Sequence, residues 1–231
     1  MDDGPLTARR RCVGVILAGG TSVRMGGVPK GLEAVGGMRM IDRVASALSD
    51  STDSLLLVAN DAAAGTWIPG IDVVRDARPG IGPLGGVHAA LSLAETDIIA
   101  VAWDMPFVPG GLLRNLRDAA ELHDADAALP VSSSPWGFEP LVAWYSARAL
   151  SSVVAMIDAG EARVGALGQH ANLLTVDVSS WGDPDELFFN VNTADDLAHA
   201  NAYATANAAA NAAANAAANA AASRSANERT R

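Results

Sequence analysis

A three-layer α/β/α fold with a mostly parallel central sheet is the architecture this chain predicts, and two patterns carry the prediction. Short, almost continuously apolar runs at Val13 to Ala18, Leu55 to Ala59, Ile71 to Arg75 and Ile98 to Ala102 read as strands buried on both faces. Between them, Ile41, Val44, Ala45 and Leu48, and again Val87, Ala90, Leu91 and Ala94, keep the i, i+3, i+4, i+7 spacing of helices with one apolar stripe. Buried strands alternating with such helices require helices on both faces of a parallel sheet.

The later elements come in order. Leu112, Leu113 and Leu116 mark a helix after the fourth strand, and Ala127 to Val131 and Leu141 to Tyr145 read as strands parted by a Gly and Pro cluster. Leu150, Val153, Val154 and Ile157 then predict a helix, Leu173 to Val178 a strand, and Ala194 to Tyr203 a closing helix. A chain of 231 residues supports one ordinary core, so residues 1–12 read as a lead, 13–203 as a single domain and 204–231 as an appendage. In that appendage Asn207, Asn211, Asn215 and Asn219 punctuate runs of alanine, which predicts a frayed or disordered tail without large side chains to dock.

Composition narrows the function. A formal net charge of −10 argues against a broad basic face for nucleic acid, so any polyanion must be met locally. Half the residues are hydrophobic and 18% are charged, which excludes global disorder. Cys12 is the only cysteine, so no intrachain disulfide framework and no cysteine metal cluster is expected. No stretch is apolar for long enough to span a membrane, and a cytoplasmic protein is expected.

In open α/β sheets ligands bind beyond the carboxyl ends of the strands, and the residues there are informative. The first strand runs into LAGGTSVRMGGVPKG, which offers Gly19, Gly20, Gly26 and Gly27 with Arg24 and Lys30. Glycines let backbone N–H groups approach phosphate oxygens, and the two cations suit a triphosphate. The loop is neither a Walker A motif nor the GxGxxG dinucleotide fingerprint. The fourth strand ends at AWDMPF, placing Asp104 where a carboxylate suits Mg²⁺, although an isolated Asp reads equally well as a cap or surface residue. The second strand presents Asn60. The third presents Asp76 ahead of GPLGG, and either side chain suits a base, a ribose or a turn. In FFNVNTADDL, Asn192 supplements Asp104 at a metal or belongs to a capping loop in which Thr193 is the N-cap.

Taken in order, LAGGTSVRMGGVPKGL, GPLGG, WDMPFV, EPLVAWY and FFNVNTADDL resemble the molybdenum cofactor guanylyltransferases, over about residues 13–203. The resemblance implies a Rossmann-like fold of the nucleotide-diphospho-sugar-transferase kind. It also implies transfer of GMP from GTP to molybdenum-bound molybdopterin, with Mg²⁺ as cofactor. Other molybdenum cofactor biosynthesis proteins or molybdoenzymes would be its partners. Leu17, Ala18, Gly19, Gly20, Lys30, Asn60 and Asp76 would contact GTP, Asp104 would hold Mg²⁺, and Arg24, Lys30 and Asp104 would carry catalysis. Two segments depart from the family pattern: Trp136, Gly137 and Phe138 precede Glu139 where an Arg is common, and Trp103 replaces a small residue or cysteine. Rival readings are cytidylyl transfer to the same pterin, nucleotidyl transfer to another small phosphate, and a nucleotide-binding regulator without catalysis.

Overall fold

The computed structural model describes residues 10–19, 29–76, 78 and 80–209. Its centre is a seven-stranded sheet. Strand β1 (Cys12–Leu17) is followed by a two-stranded hairpin, β2 (Ala34–Val35) and β3 (Met38–Arg39), and by α1 (Met40–Ser49). Then come β4 (Ser54–Val58), β5 (Asp72–Val74), α2 (Pro83–Ala94), β6 (Asp97–Ala102) and α3 (Gly110–Leu122). The second half comprises β7 (Ala127–Pro130), β8 (Val142–Tyr145), α4 (Ala149–Asp158), β9 (Leu173–Val176) and the short α5 (Pro184–Leu187). A last helix, α6, occupies 194–209.

The order across the sheet is β5-β4-β1-β6-β8-β7-β9. Strands β5, β4, β1 and β6 are mutually parallel, β8 alone runs against its neighbours β6 and β7, and β9 is parallel to β7. The expected mostly parallel sheet is therefore present. All six residues of β1 and of β6 are buried, as their unbroken apolar runs require once helices cover both faces. Ile41, Val44 and Leu48 of α1 and Leu112, Leu113 and Leu116 of α3 join one apolar cluster. On the other face, Leu84, Val87 and Leu91 of α2 and Val153 and Met156 of α4 join a second.

Three differences between sequence and structure have physical causes. The apolar run of the third strand predicts burial, yet Asp72 and Val73 of β5 are exposed because β5 is the edge strand and has one neighbour. The hairpin β2–β3 has no counterpart in the sequence pattern, because two-residue strands leave no period to read. Helix α6 continues past Tyr203 to at least 209, since alanine favours the helix it extends, and Ala204 packs with Val35, Met40, Val191 and Ala200. The rest of the Ala and Asn tail lies outside the described residues.

One close approach connects the fold to the site. Trp103 is 1% exposed and stacks on Trp67, with ring centroids 5.1 Å apart and an interplanar angle of 23°. Its indole also covers Gly31 so closely that a Cβ there would sit 2.2 Å from the ring. A bulky residue at position 103 is thus accommodated by a glycine and a second indole. Gly31→Ala should lower stability by about 1–3 kcal/mol by overpacking. Urea denaturation followed by circular dichroism checks this, with the midpoint expected to fall.

Candidate active site

Strand β1 pairs with β4 on one side and β6 on the other, so the chain reverses its direction of travel across the sheet between β1 and β6. Crevices open at such switch points because the connections leave in opposite directions. The crevice here has a volume of about 390 Å³. Leu17 and Gly19 reach it from β1, Asn60 from β4, Asp76 from β5, and Trp103 and Asp104 from β6. Gly80, Gly82, Pro83 and Gly86 add the start of α2, and Leu141 the start of β8. The last backbone rungs fix these positions: Ala18 N–H donates to Val58 at 2.9 Å, Ala59 N–H to Val74 at 3.0 Å and Trp103 N–H to Leu17 at 3.1 Å.

Of the residues expected at the site, Leu17, Gly19, Asn60, Asp76 and Asp104 line this one crevice. Ala18 is buried, and Ala18, Lys30 and Asn192 are not among the lining residues. Gly20 and Arg24 lie outside the described residues, as do Gly26 and Gly27. None of the four histidines is among the lining residues.

Asn60 and Asp76 form a unit. The Asp76 N–H donates to Asn60 Oδ1 at 3.0 Å, and Asp76 Oδ1 accepts the Arg78 N–H at 2.8 Å. Asp76 Oδ2 lies over Gly85, where a Cβ would come within 2.4 Å of it. Gly85, the first of the two glycines that close GPLGG, therefore lets the carboxylate lie against the first turn of α2.

Asp104 is the most enclosed charge here, at 5% exposure. Its Oδ2 is paired with Lys30 Nζ, while its Oδ1 is buried with no hydrogen-bond partner. Lys30 lies on a single 3-10 turn, Lys30–Leu32, and donates to Asn192 Oδ1 at 2.7 Å, 162 residues away in the chain. The Val191 N–H donates to the Asp104 carbonyl at 3.0 Å, which fastens the Asn192 segment to the end of β6. Asn192 is fixed further because Asp196 Oδ2 accepts the N–H groups of Asn192 and Thr193 at 2.9 and 2.8 Å. Thr193 Oγ1 accepts the Asp196 N–H in return, so Thr193 is the reciprocal N-cap of α6. The bond from the Asn192 N–H, with those from Thr193, holds the Asp196 carboxyl below the usual range.

Glu139 carries no signal in the sequence beyond its membership of EPLVAWY, and the structure gives it a place. Its Oε1 accepts the Leu141 N–H at 2.9 Å. Burial first, and then the charge of Asp104, push its carboxyl upward, while the Leu141 bond opposes them. Glu139 thus stands within electrostatic reach of Asp104, a proximity that no spacing in the sequence discloses.

The fold and this site define a nucleotidyltransferase: a switch-point crevice sized for a nucleotide, with a buried carboxylate and a lysine at one end. Residues 14–173 match the family model of the MobA-like NTP transferase domain, and the chain belongs to that family. Among its relatives, a molybdenum cofactor guanylyltransferase of Cupriavidus metallidurans is 33% identical over 197 residues, covering 83% of this chain and 95% of that protein. One from Shewanella frigidimarina is 36% identical, covering 78% of this chain and 90% of that protein. Among solved structures, molybdopterin-guanine dinucleotide biosynthesis protein A of Archaeoglobus fulgidus superposes with a TM-score of 0.70 at 27% identity. That match covers 84% of this chain and 98% of the other.

The Asp76–Gly85 contact gives a local test. Gly85→Ala should displace the carboxylate and weaken nucleotide binding by about tenfold, the scale of one lost hydrogen bond. Calorimetric titration with GTP checks this, and the melting temperature of the variant separates a local effect from unfolding.

Proposed function

We propose that the protein transfers GMP from GTP to the terminal phosphate of molybdenum-bound molybdopterin, forming a guanine dinucleotide and releasing pyrophosphate. The observation that carries this reading is Asp104, with one oxygen unpartnered and the other on Lys30, in the wall of a nucleotide-sized crevice. The names of the relatives supply the substrates.

An acceptor phosphate oxygen attacks the α-phosphorus, a P–O bond forms, and the bond to the β-phosphate breaks with its electron pair leaving on pyrophosphate. The acceptor is largely ionised at neutral pH, so no general base is needed. The work left to the protein is alignment and charge stabilisation. Asn60 and Asp76 hold the nucleoside, Leu17, Ala18, Gly19 and Gly20 contact the nucleotide, and Lys30 and Arg24 meet phosphate charge. Mg²⁺ fits Asp104, whose free buried oxygen is the hard donor such an ion takes alongside substrate phosphates; Asn192 offers an amide oxygen nearby. When bound there it would neutralise charge on the phosphates. Among the described residues no group of three or more His, Cys, Asp or Glu could hold a metal.

No described helix is long and apolar enough to cross a membrane. A cytoplasmic site of action suits this chemistry, with cofactor biosynthesis proteins or molybdoenzymes as partners.

Asp104→Ala should lower turnover by about a hundredfold or more, the cost of one oriented electrostatic contact, with little change in fold. The check is pyrophosphate release from GTP with Mg²⁺ and molybdenum-loaded molybdopterin. The same assay with CTP is expected to be slow in the parent, and a preference for CTP would reverse the guanylyl assignment.

A further inference from the structure

The cation on Asp104 is Lys30. The ammonium pairs with Asp104 Oδ2 and donates to Asn192 Oδ1 at 2.7 Å, and the two charged side chains are only 14% and 7% exposed. Of the pair, Asp104 lines the crevice. A divalent ion approaching Asp104 Oδ1 therefore meets a carboxylate already neutralised, with an ammonium on its other oxygen. Like charges so close within a poorly solvated wall repel strongly. A triphosphate is a better partner for the ammonium than one amide oxygen, and the four-carbon stem of Lys30 leaves its head free to turn.

We infer that Lys30 is a tethered counter-cation that keeps Asp104 and Asn192 closed to divalent metal until a triphosphate draws it away, so that metal and nucleotide bind as a coupled pair. The inference rests on the reading of Asp104 as the metal holder. Turning Lys30 toward phosphate releases Asp104 Oδ2 and Asn192 Oδ1 together, which restores the charge of the carboxylate and frees an amide oxygen beside it for the incoming ion. Coupling of this kind is reciprocal, so Asp104 restrains triphosphate binding in the absence of metal by the same device.

The test needs no turnover. Mn²⁺ is titrated without nucleotide and followed by electron paramagnetic resonance in the parent, Lys30→Met, Lys30→Gln and the Lys30→Met, Asp104→Asn double variant. Both lysine variants should bind Mn²⁺ about tenfold or more tighter than the parent, within the usual range of coupling between sites. Lys30→Gln keeps an N–H for Asn192, so agreement between the two variants separates charge from packing. Equal affinities in the parent and both folded variants would overturn the inference while leaving the metal assignment standing. Mn²⁺ binding in the Lys30→Met, Asp104→Asn double variant as tight as in Lys30→Met alone would overturn both. In a second measurement, GTP binding in EDTA should tighten in Asp104→Asn, and that gain should shrink severalfold in a Lys30→Met background. A gain of the same size in both backgrounds would show that Asp104 does not act on nucleotide through Lys30.

Discussion

Beyond the hydrogen bond from the Trp103 N–H to the Leu17 carbonyl, no further rung joins β1 to β6 among the described residues, and the two strands part. That parting is what the rest of the site depends on. Leu17 and Gly19 beyond β1 and Asp104 beyond β6 both line the crevice that opens there. Because both strands are buried along their whole length, the point of separation is set by core packing and cannot slide without moving an entire apolar face. The precision of the chemistry is therefore borrowed from the hydrophobic core.

Charge adds a second constraint. A chain with a formal net charge of −10 repels polyphosphate at long range, so attraction has to be local and short. Asp104 intensifies the difficulty by placing a carboxylate in the wall of the crevice, and Lys30 relieves it. The buried ion pair is poor evidence of stability, since desolvating both groups opposes their attraction. Its position, tied by Asn192 to the start of α6, suits a functional constraint better than a structural one.

Much of this architecture is legible in the amino-acid sequence. Strands β1, β4 and β6 announce themselves because burial on both faces demands unbroken apolar runs, and Asn60, Asp76 and Asp104 stand at the carboxyl ends of such runs. The edge position of β5 is not legible, because exposure depends on having one neighbour and Val73 looks like any core valine. Nor is the bond between Lys30 and Asn192, which joins segments 162 residues apart and exists only once α6 is seated. Trp103 reads in sequence as a departure from the family pattern. Its compensation is spread over Gly31 and Trp67, neither of which is adjacent to it in the chain.

That aromatic pair has an optical consequence. Two indoles stacked 5.1 Å apart share their electronic transitions, so the near-ultraviolet circular dichroism of this protein carries a signal that depends on the angle between the rings. Trp103 directly precedes Asp104 and lines the same crevice. That signal reports on the packing of the wall next to Asp104 without an attached dye.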